Sequence, residues 1–353
     1  DDFMFFARSG WTGSQQYAPV IWSGDPAASF DDAKGLPAQV RAGISIGLSG
    51  IPFWGSDVSG YTCLNDPIPD KDLYLRWAEF GALSPDMHDE NACAQAPAGS
   101  PPKWNLWTDA ETIAVYGKYA RLHTRLIPYL YAAAKVATET GIPFIRHPLL
   151  EHPAEPAARG VELEYYFGPA LYVAPIVARK ATTRSFWLPP GKWVDWWTLE
   201  ALTGGAEVTR DAPLDTLPLL LRSGGVVALL DPAIDTLAPE DDPDVVGPTD
   251  VAGVLDVRAA IDAQTGTGTA TLADGTTLTV SFTGQPPVAQ TQASEASLAS
   301  CSGCARVDAL PGGVIRVRAS TPTEASGTTT LGGLSLAHAG AAARVRWDVT
   351  VLP

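Results

Sequence analysis

Two aspartates end apolar runs in matching settings, Asp25 in VIWSGDP and Asp57 in IPFWGSD, each preceded three residues earlier by a tryptophan, Trp22 or Trp54. Enclosing a carboxylate beside an indole removes water and disfavours its charged form. A carboxylic acid kept protonated near neutral pH can protonate a glycosidic oxygen. A lone Asp after a strand serves more often as a turn or helix cap; the repeated setting brings the chemical reading level with it. Arg8 opens RSGWTG, where a guanidinium can hold a hydroxyl or an anionic group by several hydrogen bonds, or form a surface ion pair. The run MHDEN, 87–91, concentrates polar groups that suit sugar contacts or a solvated loop. His123 falls on an apolar helical stripe and reads as a satisfied core histidine. No Ser–His–Asp pattern and no metal-ligand spacing is present.

The elements that must position these residues alternate over the first 140 or so. FMFFAR and IPFWGSD read as strands, while PAQVRAGISIGLSG and DKDLYLRWAEFGAL read as helices, the first with Pro37 early and Gly50 at its end. SPDMHDEN is a short extended segment and loop. A longer helix follows, with a Thr108-x-x-Glu111 capping box and a stripe through Ile113, Tyr116, Ala120, His123, Ile127, Leu130 and Ala134. Pro128 is expected to kink or divide it, and Gly141 and Pro143 to stop it. Strand–helix alternation indicates parallel βα units, with Arg8, Asp25, Asp57, His88 and Glu90 just after the strands. Active sites of a (β/α)₈ barrel lie at that edge, but about three units cannot close one.

Beyond Gly141 the pattern becomes short apolar runs split by Pro and Gly, as in EYYFGPALYVAPIV and SFWLPPGKWVDWW. This is an antiparallel β-domain over 141–237. An acidic, Pro-containing linker at 238–250 precedes a second β-domain, 251–353, in which ADGT is a hairpin turn. The expected class is therefore α/β plus all-β.

A length of 353 residues suggests two or three domains. The net charge of −15 argues against nucleic acid and anionic membranes, since nothing neutralises a phosphate backbone. No apolar run approaches the ~20 residues a membrane span needs. The 11 tryptophans suit flat sugar faces or a Trp-rich core. Cys63 and Cys93 flank the motif-rich region. Cys301 and Cys304 form a C-x-x-C that reads as half a zinc site, a redox pair or, most simply, a local disulfide in an exported domain. Secretion or a periplasmic location is the lean. The opening DDFMFF reads as a strand already under way, more a cut than a natural start.

Six segments in order, RSGWTGSQQYAPVIWSGDPAASF, AGISIGLSGIPFWGSDVSGY, DLYLRWAEFGALSPDM, ARLHTRLIPYLY, FGPALYVAPIV and LPPGKWVDWWT, strongly resemble glycoside hydrolase family 31. That family includes α-glucosidases, α-xylosidases and sulfoquinovosidases, and the resemblance covers about residues 1–230. It implies the C-terminal part of a (β/α)₈ TIM barrel followed by two antiparallel β-sandwich domains. Asp25 matches the family's general acid/base in its W-x-G-D setting. Arg8 and Trp22 match residues lining the sugar subsite, and Asp57 matches an aspartate that binds the sugar's hydroxyls. Trp54, Phe53 and Trp77 are assigned to packing.

Two departures qualify the match. The family's nucleophilic Asp lies on an earlier barrel strand, and nothing like its segment occurs here. Many members also carry Arg-x-His where this chain has His88 and Glu90; a carboxylate there changes the hydroxyls recognised and repels an anionic sugar. Cys63 and Cys93 flank this region and would brace it as a disulfide. The resemblance implies a retaining α-glycoside hydrolase acting on α-linked oligosaccharides or glycosides. It needs no metal or organic cofactor and is completed by a missing N-terminal barrel segment. The alternatives are a non-catalytic carbohydrate-binding or accessory fragment, and a lyase sharing the scaffold.

Overall fold

The computed structural model describes residues 5–64, 68–90, 92–239, 241–284, 304–321, 326–340 and 344–353. Near the N-terminus, β1 (Phe6–Arg8), β2 (Val20–Trp22), β3 (Trp54–Asp57) and β4 (Asp86–His88) form a four-stranded sheet in sequence order. Every pairing in it is parallel. Parallel neighbours need crossovers, and here α1 (Leu36–Leu48) joins β2 to β3 and α2 (Lys71–Ala82) joins β3 to β4. Helix α1 begins with Pro37 in its first turn, where a missing N–H is harmless. The Asp70 side chain caps α2, accepting from the Leu73 amide at 3.1 Å. All four residues of β3 are buried, as expected for a strand covered on both faces. The sheet is open, with no closed barrel among the described residues.

Helices α3 (Ala110–Arg125) and α4 (Ile127–Thr140) pack on this unit. Two expectations shift by one residue. The cap of α3 is Asp109, accepting from the Thr112 amide at 2.7 Å; Thr108 instead accepts from the Asn105 amide in the preceding turn. The buried face of α3 runs through Thr112, Val115, Tyr119 and Leu122, while Ile113 is exposed. Pro128 does divide the helix, standing in the first turn of α4. Gly141 closes α4 at φ 78°, a left-handed cap glycine adopts without strain.

The following region builds a six-stranded sheet of order 201–203, 192–195, 219–222, 171–173, 165–167 and 145–146, every pair antiparallel. Strands Thr183–Leu188 and Ala206–Asp211 form a separate pair. The last region holds a five-stranded and a four-stranded sheet whose inner residues share one core, among them Val257, Val317 and Val349 facing Leu278, Val280 and Leu336. It is not wholly antiparallel: Val254–Ile261 and Arg344–Val351 pair in parallel. Strand Val226–Leu229, before the 238–250 segment, already pairs with Val254–Ile261. The ADGT turn forms, with Gly275 at φ +87°.

Candidate active site

Parallel strands in register present their last residues side by side. Arg8, Trp22, Asp57 and His88 are the final residues of β1, β2, β3 and β4. Arg8 lies opposite Trp22, and Asp57 opposite His88. Asp25 follows in the turn after β2. The carboxyl edge of a parallel sheet is where α/β ligand sites form, and here it gathers five of the side chains singled out above.

They are linked by direct contacts. The Arg8 guanidinium lies 3.2 Å from Asp25 Oδ2 and 5.6 Å from the centre of the Trp22 ring. Trp22 Nε1 donates to Asp57 Oδ1 at 2.8 Å. His88 Nε2 contacts that same oxygen at 2.8 Å, while its Nδ1 contacts Asp86 Oδ2 at 2.8 Å. The Phe6 ring stacks on His88, with 5.5 Å between centroids and 13° between planes. Gly24, at φ +84°, is required here: a Cβ would sit 3.1 Å from Arg8 Nε.

Burial would lower the pKa of His88, but hydrogen bonds to Asp57 and Asp86 outweigh it and raise the value to about 9. The ring is therefore an imidazolium at neutral pH, clamped between two carboxylates. Asp57 is 3% exposed, and its Oδ2 is buried without a hydrogen-bond partner. Asp25 is more open than Asp57, its side chain 30% accessible in this chain. Glu90 is exposed, and its backbone oxygen accepts from Lys103 Nζ.

Asp86 and Lys103 were not singled out from the sequence. Asp86 had a signal, since alternate residues of a strand share a face and 86 and 88 flank Met87. Lys103 had none. It is 5% exposed and donates to the Val58 and Gly60 oxygens at 3.2 and 2.8 Å as well as to Glu90. Burial lowers its pKa against the pull of Asp89, Asp57 and Glu90. Trp54 and Trp77 are core residues, the latter donating to Ser56 Oγ at 3.0 Å. His123 is half-buried, and its Nδ1 lies 3.0 Å from the Ala82 oxygen, with its pKa lowered by burial.

The loops after β2, β3 and β4 are bound to one another. Thr62 bridges in parallel to both Ala27 and Ala94. The Cys63–Cys93 disulfide, with Cα atoms 5.4 Å apart, fastens the second and third loops. Gly60, at φ +76°, lets the first two touch, since a Cβ would meet Ala28 Cα at 2.7 Å. Cys304 is disulfide-bonded as well; Cys301 lies outside the described residues.

Residues 1–133 match the glycosyl hydrolases family 31 TIM-barrel domain, and residues 141–227 match the glycosyl hydrolase family 31 C-terminal domain. The chain belongs to glycosyl hydrolase family 31. Family relatives include a sulfoquinovosidase of Escherichia coli K12, 33% identical over 65% of this chain and 33% of its own length. An α-glucosidase 2 of Bacillus thermoamyloliquefaciens is 33% identical over 66% of this chain and 28% of its own. Among solved structures, a cycloalternan-degrading enzyme from Trueperella pyogenes is 31% identical with a TM-score of 0.55, covering 63% of this chain and 30% of that one. This family 31 chain spans 18% to 33% of the length of these and other curated relatives.

Proposed function

We propose that this chain carries the acid/base half of a retaining α-glycoside hydrolase. The observation that carries the reading is the row of Arg8, Trp22, Asp57 and His88 at the strand ends, with Asp25 beside it, solvent-facing and held by Arg8. Of the two aspartates, Asp57 is committed. Its Oδ1 is occupied by Trp22 and His88, so it is suited to orient a sugar rather than to attack one. Its partnerless Oδ2 is a buried acceptor that a sugar hydroxyl would satisfy.

Retention requires two carboxylates about 5 to 5.5 Å apart. Asp25 is assigned the proton-transfer role. In the first step its carboxylic acid donates a proton to the departing glycosidic oxygen while a second carboxylate forms the ester with the anomeric carbon. In the second step Asp25, now ionised, takes a proton from water as that water displaces the ester. The second carboxylate is assigned to a segment outside these 353 residues. Substrates are α-linked glycosides, a class supported by family membership and by relatives such as the sulfoquinovosidase and the α-glucosidase.

The test is Asp25→Asn in the full-length protein. Turnover of an unactivated α-glycoside should fall by about 10²–10⁴-fold. An α-glycoside with a good leaving group, which needs no protonation, should lose far less in bond cleavage. Equal losses on both substrates, or near-normal turnover of the first, would remove Asp25 from this role.

A further inference from the structure

A cavity of about 940 Å³ lies where α3, the proximal β-domain and the distal β-domain meet. Its wall on the helix side carries Lys118, Arg121 and Arg125, spaced i, i+3 and i+7 on one face of α3. Facing them are Arg258, Arg318 and Arg346 from the five-stranded distal sheet. Among the described residues, two carboxylates line the same space, Asp256 and Asp348. In a chain of net charge −15, this is a concentrated positive excess.

Four of these six cations are ion-paired. Arg125 and Arg346 bind Asp256 at 2.8 and 2.6 Å, and Arg318 binds Asp308 at 2.8 Å. The fourth pair is long: Asp348 lies 3.7 Å from Arg258 and is held by Arg316 with two bonds of 2.8 and 2.7 Å. Arg258 also donates to the Trp196 oxygen and covers that ring at 4.2 Å. Lys118 donates to the Asp215 backbone oxygen and lies 4.1 Å over Trp197. Arg121 has no carboxylate partner among the described residues, and it is exposed at the cavity's edge. Burial lowers the pKa of both Lys118 and Arg258, the mark of cations whose lost hydration is not fully returned.

We propose that this junction is a binding site for a phosphate or sulfate group, carried either by the free ion or by a sugar ester. Guanidinium and ammonium donors converging from two walls suit an oxyanion. The volume exceeds what one such group needs and has room for an attached sugar ring. An occupant would supply counter-charge at Lys118 and Arg121 and add to the long Asp348 contact of Arg258, tying α3 to the distal sheet. None of Arg8, Trp22, Asp25, Asp57 or His88 lines this space, so the inference stands or falls apart from the catalytic reading.

The test uses the full chain, inorganic phosphate and sulfate as probes, and sodium chloride to hold ionic strength constant. Calorimetry and thermal melts should show saturable binding with a matching rise in Tm. Arg121→Gln, an exposed change that leaves folding intact, should weaken it about tenfold, and Lys118→Met with Arg121→Gln should abolish it. Lys135→Gln, elsewhere on the surface, should change nothing. Glucose 6-phosphate and glucose 6-sulfate distinguish the sources: tighter binding than the free ions assigns a sugar ester, equal binding assigns the ion. A response that never saturates, one equalled by chloride, or one unchanged in both cavity variants would overturn the proposal.

Discussion

His88 sits between Asp57 and Asp86 within 2.8 Å of each, and this geometry has a measurable pH signature. Its pKa is raised from the ordinary 6.5 to about 9, so folding favours the protonated ring. That stabilisation is complete below about 6.5 and is lost as pH rises through about 9. Its upper bound is about 3 kcal/mol, from 1.36 kcal/mol per unit. Denaturant midpoints measured from pH 6 to 10 should fall across that window in the native chain, and His88→Gln should remove most of the slope. An unchanged slope would mean that His88 is not the group responsible. The chemical types of Arg8, Trp22, Asp25, Asp57 and His88 were readable from the sequence. Their mutual bonds were not, because the contacting pairs lie 17 to 35 residues apart.

Elements gave up their type more readily than their facing. The periodicity located α3, yet its apolar stripe was placed one residue from the buried one. Adjacent residues on a helix differ by about 100°, so Ile113 and Thr112 open two plausible stripes, and only the packing partner chooses. The loops at the strand ends depend on tertiary bridges more than on local propensity. The Cys63–Cys93 disulfide closes a 30-residue separation, which in the chain-entropy account is worth about 3–4 kcal/mol. Cys93→Ser with Cys63→Ser should lower stability by that order in urea melts. In the full-length enzyme it should raise KM more than it lowers kcat, since the loops it ties carry no proposed proton-transfer group. A drop confined to kcat would contradict this.

At the scale of the molecule, Arg76 is a buried link between the parallel unit and the following β-region, beside contacts such as Lys180 N–H to Asp72 and Tyr165 Oη to the Leu83 oxygen. Arg76 of α2 is 2% exposed and donates to the Ala212, Pro213 and Ala181 oxygens at 2.7, 3.0 and 3.1 Å. It also pairs with Glu79 at 3.1 Å. Burial raises the Glu79 pKa to about 7 even against the pull of Arg76, which shows how costly that carboxylate is to bury. Arg76→Met should therefore destabilise the chain by about 3–5 kcal/mol, the cost of stranding a buried partner. Adding Glu79→Met should recover a substantial part of it. Chemical denaturation of both variants checks this; additive losses would argue that the backbone bonds, not the pair, hold the junction.

By itself the sequence determined the alternation of strands and helices, the change to β-structure near residue 141, and the family, because these reside in local periodicity and short motifs. The tertiary structure alone decided that four strand ends align in register, that Asp86 and Lys103 join them, and that Asp25 faces solvent while Asp57 does not. It also decided that six cations converge on one junction. Periodicity says what a segment can bury; which charges meet, and at what distance from water, depends on contacts between segments far apart in the chain.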